Sequence, residues 1–368
     1  MKELIRCGGL GTSAHNHQPW KFIVGEDYLE VALASEHLLP QMDPSGHQAY
    51  MALGTAVENI RAAARGIGLM PEVEPPAVSE DGAVIRIRLH PGPAPTDQEK
   101  SLHQAVTERF TNRNPHDGRP VEPEVWGDLE EALRPFGIKM HVVSSANGVR
   151  RVSRLIGSAE RFGLEHAGTV DETYDWLRFS DQSYAEKGDG LWMRTMGFGP
   201  AVALAAKFVF KWNRIRLLNL AGFSRVYGLR SRRTASKSAS WVLLTVEDSS
   251  PAGFIVAGEG YQRFLLRAHE HNLAIHPMTY LVMVCIMLAE RPDCMTKSQR
   301  RRAEAFDREM RAGFGMEDRE YPLIAMRIGY APPPVFLARR RKPVVEYAPA
   351  ASVSPEDRPT AVLEEVGV

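Results

Sequence analysis

Few features of this sequence are in excess, and the shortages exclude whole classes of protein. Its 368 residues hold three cysteines, Cys7, Cys285 and Cys294. An odd, widely spaced set fits neither a disulfide framework nor a Cys-x-x-Cys centre. Neither charge sign dominates: Lys plus Arg and Asp plus Glu each total 45. The balance gives no global case for nucleic acid or an acidic partner. No Gly-x-Ser-x-Gly elbow or Walker loop occurs. The glycines of Gly8-Gly9-Leu10-Gly11 make no dinucleotide fingerprint, because no strand precedes them. On a helix His269 and His271 lie about 200° apart and cannot share a metal, so no metal site is expected. The longest uncharged apolar run, around Met196 to Ala206, is too short to span a bilayer. Met1 to Arg6 is too charged for a signal peptide, so a cytoplasmic protein is expected.

What is present concentrates first in Ser13-Ala14-His15-Asn16-His17-Gln18-Pro19-Trp20. Pro19 fixes its own φ and pushes Gln18 into extended geometry, ending any helix before it. From Trp20 to Val24 the residues read as a strand, bounded by Gly25. Ser13, Asn16 and Gln18 bring a hydroxyl and two amides to a helix-to-strand turn. They suit a ligand edge of alternating C=O and N–H groups, or they satisfy their own backbone.

Further on, strands are expected at 28–35 and 83–89, a helix at 48–67, and a linker at Pro91 to Thr96. Beyond it, helices are expected at 97–109, 122–133, 149–167, 253–271 and 298–312. Strands are expected at 138–143, 240–246 and 323–328, with an irregular stretch at 168–237. Gly54 to Ile60 aligns without a gap to Gly258 to Phe264, continuing as Ala64 with Ala268 and Leu69 with Leu273. Read as a duplication, this divides the chain into 1–95 and 96–347, with an insertion at 186–237. From 348 to 368 the composition predicts a disordered tail. Arg109, Thr111 and Arg113 alternate ahead of Pro115; in an extended chain all three point one way. They then converge on an anion, each charge-assisted contact being worth about 1.5–3 kcal/mol, or they form a solvated basic turn.

The pattern Ser-x-x-Asn-x-Gln-Pro-Trp, with His15 before Asn16 and Asp43-Pro44 after the second strand, resembles the Acg-type FMN-binding oxidoreductases. In these, two nitroreductase-like halves are fused in one polypeptide. Thr12 departs from the family's usual proline. The resemblance implies an α+β, nitroreductase-like fold: a mixed, mostly antiparallel sheet in each half, flanked by helices, as a pseudo-dimer made in one chain. It implies FMN as cofactor, with Ser13, Asn16 and Gln18 at the ring and Arg109, Thr111 and Arg113 at the phosphate. Arg339 and Arg341 fall on the family's C-terminal basic pair, leaving Arg340 and Lys342 to solvent. The loop His276-Pro277-Met278-Thr279 matches the one whose backbone N–H groups approach the flavin N5. The flavin carries the hydride, so no catalytic side chain is implied. No second copy of either motif occurs, which implies one FMN per chain.

NAD(P)H is the implied electron donor, and the acceptor is unidentified. The alternative is a protein that sequesters FMN under a lid and turns nothing over. The lid would be 201–237, which carries nine Lys and Arg residues and no acid. As a lid its Phe208, Phe210, Trp212, Leu217, Leu218 and Leu220 would cover the ring. The same stretch also reads as a membrane-surface segment meeting anionic lipid or as a plain insertion; the resemblance favours the lid. No nucleic-acid partner is expected, and the pseudo-dimer would be a monomer or pair into a homodimer.

Overall fold

The computed structural model describes residues 1–80, 82–338 and 340–348. The short helix α1 (Lys2–Gly8) buries Leu4, Ile5 and Cys7 and leads through the Ser13–Gln18 turn into β1 (Trp20–Val24) and β2 (Tyr28–Leu33). These two strands pair antiparallel, Phe22 opposite Val31. After α2 (His47–Gly66) come β3 (Leu69–Val73), β4 (Ala77–Ser79) and β5 (Gly82–Pro91). Along β5, Ala83, Ile85 and Ile87 are buried and the residues between them are not, the period of a half-covered strand.

Past the linker, α3 (Asp97–Glu108) opens on a capping box in which Thr96 and Glu99 satisfy each other's backbone N–H. Then follow α4 (Pro123–Leu133), β6 (Lys139–Val143), α5 (Ala146–Leu164), α6 (Ala167–Trp176), β7 (Leu177–Arg178), α7 (Asp181–Lys187) and β8 (Leu191–Trp192). Three helices come next: α8 (Pro200–Val209), α9 (Trp212–Leu220) and α10 (Phe223–Ala235). The chain continues through β9 (Ser240–Val246), α11 (Pro251–Glu270), β10 (Ala274–Pro277), α12 (Tyr280–Glu290), α13 (Lys297–Phe314), β11 (Tyr321–Gly329) and β12 (Val345–Tyr347).

The fold is α+β, with two mostly antiparallel sheets flanked by helices. The first sheet runs β12–β1–β2–β5–β3, with β4 also on β5. Its parallel contact is made by β12, which pairs with β1 from the far end of the chain. The second runs β10–β11–β9–β6, antiparallel throughout. Its central strands β9 and β11 are almost wholly buried, hence their predominantly apolar sequences.

Between the sheets α2 and α11 cross at Gly54 and Gly258. A Cβ on Gly54 would lie 1.9 Å from the Ile255 carbonyl oxygen, and one on Gly258 would lie 2.0 Å from that of Met51. Polar pairs continue the crossing: Glu58 with Arg263, Asn59 with Gln262, and Arg61 with Glu259. Under the alignment of Gly54 with Gly258, the contacts Met51·Gly258 and Gly54·Ile255 exchange, as do Glu58·Arg263 and Asn59·Gln262. The contact is reciprocal, as across a two-fold axis.

Two expectations change. The stretch 168–237 is largely helical rather than irregular; its helices are short and weakly periodic, so pattern alone hides them. Helix α12, absent from the expectation, is apolar on nearly every side, which leaves no amphipathic stripe to read. Among the described residues, no helix is long and apolar enough to cross a membrane. The predicted tail lies, beyond residue 348, outside the described residues.

Candidate functional site

One cavity of about 470 Å³ brings most of the singled-out residues together. Its volume lies within the range of roughly 300–1,000 Å³ common for small-molecule and cofactor sites. At one end stands the Ser13–Gln18 turn. His15, Asn16 and Gln18 have φ of 50°, 56° and 51°, the left-handed region that non-glycine residues seldom occupy. Gln18 is therefore not extended, as Pro19 suggested, because its neighbours hold it over. Its N–H donates to Ser13 Oγ at 3.0 Å, and its Nε2 donates to the Gly188 carbonyl at 3.0 Å. Its Oε1 accepts from the Arg341 N–H at 3.2 Å. Ser13, His15 and Asn16 line the cavity; Gln18 does not, its amide being committed to backbone.

The Arg109–Arg113 element follows its alternation in part, since Phe110, between the first two, also lines the cavity. Arg109 is extended, with φ −62° and ψ 137°. Arg109, Thr111 and Arg113 all reach the cavity. Asn112 turns the other way, its Nδ2 donating to the Pro332 carbonyl at 2.9 Å. Two further arginines from outside the insertion join them, Arg327 from β11 and Arg340. Burial lowers all four guanidinium pKa values, those of Arg113, Arg327 and Arg340 to about 10. Arg113 lowers Arg327 further, and Arg109 does the same to Arg340. None of the four makes an ion pair among the described residues.

The C-terminal pair needs correction. Arg340, assigned to solvent, lines the cavity and donates to Asn16 Oδ1. Arg341 instead fixes the turn: its Nη2 donates to the carbonyls of Gln18 at 2.7 Å and Trp20 at 3.0 Å. Arg339 lies outside the described residues. No regular strand precedes Val345 here, so counting alternate residues assigned the wrong side.

On the opposite wall, Pro277, Met278 and Thr279 are all present. The Met278 N–H is already spent on the Ala325 carbonyl at 2.7 Å, and Pro277 has none. Only Thr279 and Tyr280, at the opening of α12, keep N–H groups with no intrahelical acceptor. His276 Nδ1 accepts from Arg327 Nε at 3.0 Å; burial first, then Arg113, holds its pKa far below the usual histidine range.

Among the described residues two carboxyls line the cavity, Glu108 and Glu160. Glu108 is exposed, while burial pushes Glu160 up to about 7. The wall is therefore strongly cationic. Arg327 Nη1, Arg340 Nε and Tyr261 Oη are buried there without a partner among the described residues. Unpaired buried donors around several cations fit an oxygen-rich anion such as a phosphate.

The outer wall comes from the insertion, through Thr195, Met196 and Phe198 and through Tyr227, Arg230 and Thr234 of α10. Helix α10 lies on α5, where Gly157 and Gly228 each face the other's carbonyl oxygen. The six residues expected to cover the ring do not line the cavity. Phe208, Leu217, Leu218 and Leu220 face solvent, and Phe210 and Trp212 pack beside Ile215. Away from the cavity, ligand atoms of Glu3, Cys7 and His103 lie within 4.8 Å of one another. Burial and then Glu3 push the Cys7 thiol up to about 12.

Sequence reasoning missed Arg327, Arg340 and Glu160. Two left a signal. Arg327 interrupts the apolar run of β11, and Glu160 falls four residues after Ile156 on the buried face of α5.

No family model matches the sequence. The chain is 23% identical over 336 residues to Uncharacterized protein MT1398 of Mycobacterium tuberculosis (strain CDC 1551 / Oshkosh), which covers 89% of this chain and 45% of that protein. It is 26% identical over 135 residues to the protein called "Putative NAD(P)H nitroreductase acg" of the same organism, covering 36% of this chain and 40% of that one. The chain thus spans less than half the length of these relatives. A solved FMN-dependent nitroreductase of Mycobacterium smegmatis, in complex with NADPH, aligns with 64% of this chain and 89% of its own at 15% identity and a TM-score of 0.33. A nitroreductase with bound FMN from Bacteroides fragilis aligns with 69% of this chain and 97% of its own at 10% identity and a TM-score of 0.35.

Proposed function

We propose that the chain is an FMN-binding, nitroreductase-like oxidoreductase of the Acg type, passing electrons from NAD(P)H to a small-molecule acceptor in the cytoplasm. The observation that carries this reading is the cluster of Arg109, Arg113, Arg327 and Arg340 around one cavity with no ion-pairing carboxylate. Arg109, Thr111, Arg113 and Arg340 would hold the phosphate. Ser13, Asn16 and the Thr279 N–H would face the ring, with Gln18 and Arg341 keeping the turn in shape. Bound there, the flavin supplies the hydride chemistry; the protein binds, orients and screens it from water. The reading takes 1–95 and 96–347 as related halves of a pseudo-dimer, supported by the reciprocal α2–α11 contact, with one flavin per chain. A second reading, flavin sequestration without turnover, is favoured by α10, which packs on α5 and lines the cavity through Tyr227, Arg230 and Thr234.

One experiment tests the family reading and separates the two functions. Purified protein should release FMN, not FAD, at about one per chain. Anaerobic dithionite, a small reductant, should bleach the flavin whether or not the cavity is covered. Reduction by NAD(P)H within seconds indicates an enzyme; reduction by dithionite alone indicates a store. A colourless protein that binds no added FMN would remove both.

A further inference from the structure

Helices α8, α9 and α10 present an unusual surface. Each buries little: Ala203 in α8, Ile215 in α9, and Ser224, Gly228 and Ala235 in α10. Large apolar side chains point outward instead. Leu204, Phe208 and Leu217 are each 59% exposed, Leu229 is 63%, Val226 is 67% and Leu220 is 86%. Interleaved with them are nine cations between Lys207 and Lys237, all exposed. None of the nine makes an ion pair among the described residues. No Asp or Glu occurs between Asp189 and Glu247. The chain balances overall at 45 against 45, so the segment's nine positive charges leave the remainder nine negative. The segment is strongly cationic within a chain of neutral composition.

We propose that the α8–α10 face docks on an anionic lipid bilayer, its helices lying in the plane of the headgroups. Exposed aliphatics beside unpaired cations are the two components such a surface needs, one entering the acyl boundary and the other meeting lipid phosphate. At ten, nine and thirteen residues, the helices are too short to cross a membrane. A second copy of the chain is a poor occupant, because a symmetric contact would set nine cations against nine. Nucleic acid would use the cations but not the protruding leucines and valines, since base stacking calls for aromatic faces. Helix α10 also contributes Tyr227, Thr234 and one of the nine cations, Arg230, to the cavity, so docking bears on the cavity wall. The proposal does not depend on the flavin reading.

The test is flotation of the full chain with phosphatidylcholine vesicles and with vesicles one-third phosphatidylglycerol. Binding should be at least about tenfold stronger to the anionic vesicles and should fall at high salt. Leu217→Glu with Leu220→Glu should lose about tenfold or more. These side chains are exposed, so the unfolding curve should not move; if it does, Leu217→Ser with Leu220→Ser replaces the pair. Failure to float with anionic vesicles, or equal flotation of the leucine variant, overturns the proposal. Duplex DNA that binds wild type and leucine variant alike, and competes both off vesicles, assigns the face to nucleic acid and overturns it too.

Discussion

The α2–α11 crossing and the α8–α10 layer are both helical, yet they solve opposite problems. At the crossing, glycines let two backbones meet, and each polar side chain named there has a partner: Glu58 with Arg263, Arg61 with Glu259, Asn59 with Gln262. In the α8–α10 layer, cations go without ionic partners and leucines face outward. The first region is specified from within. The second is held by a few small contacts, such as Gly157 with Gly228, and its composition answers to something outside the chain. Tolerance to substitution should therefore differ most sharply between these two places.

The largest effect is expected at the crossing. Gly54→Val places a Cβ where the Ile255 carbonyl oxygen stands, and Gly258→Val does the same against Met51. Backbone atoms cannot yield as a flexible side chain does, so each should cost more than about 3 kcal/mol in urea unfolding. Because the contact is reciprocal, the two losses should be similar. Leu220→Ser, in the outer layer, should stay within about 0.5 kcal/mol of wild type. A marked difference between the two glycines would break the two-fold comparison, and a large loss at Leu220 would break the inside–outside one.

Next in size is the cationic wall, and here the variants sharpen which arginines touch ligand. Arg113→Ala and Arg340→Ala should each weaken FMN binding by about 1–3 kcal/mol, read by fluorescence titration, with riboflavin much less affected. Arg341→Ala should weaken both alike, because it acts through the carbonyls of Gln18 and Trp20. If Arg341 discriminated FMN from riboflavin and Arg340 did not, the original alternation would be right and the assignment drawn from the structure wrong.

That contrast shows what was legible in the sequence. Alternation located Arg109, Thr111 and Arg113, which all reach the cavity, although Phe110 does so too and the period of two holds only in part. The same counting failed two residues before Pro343, where no strand enforces the period. Strands β1, β2, β5, β9 and β11, and helices α2, α3 and α11, were legible through alternation, caps and apolar faces. Helix α12 was not, being apolar all round, and neither was the run from α6 to α10, whose outward leucines defeat an inside–outside pattern. The turn at Gln18 was misjudged for another reason. Its positive φ goes with a local bond from its N–H to Ser13 Oγ and with side-chain bonds to Gly188 and Arg341, residues far away in sequence.

The smallest effect sets Glu160 against Glu58. Glu58 is met by Arg263 and Arg61, whereas Glu160, on α5 at the cavity wall, has burial as its sole perturbation and is pushed up to about 7. Tyr227 and Tyr280 lie close enough that its charge raises their pKa values further above the ordinary tyrosine range. A folded-state pKa above the unfolded value means that folding binds a proton. The stabilising contribution of protonated Glu160 is then complete below the ordinary carboxylate range and is lost as pH rises through about 7. The melting temperature should fall between pH 5.5 and pH 8.5 by roughly a few degrees on this account. Glu160→Gln mimics the protonated form and cannot ionise, so it should match wild type only below the ordinary carboxylate range and should exceed it by a margin that grows from pH 5.5 to pH 8.5. Part of the fall should persist in the variant, because burial also holds Asp43 up to about 6 and Glu259 up to about 7. Parallel melting curves for the two proteins across that range would mean that Glu160 is already solvated, and that the wall under α10 is open to water.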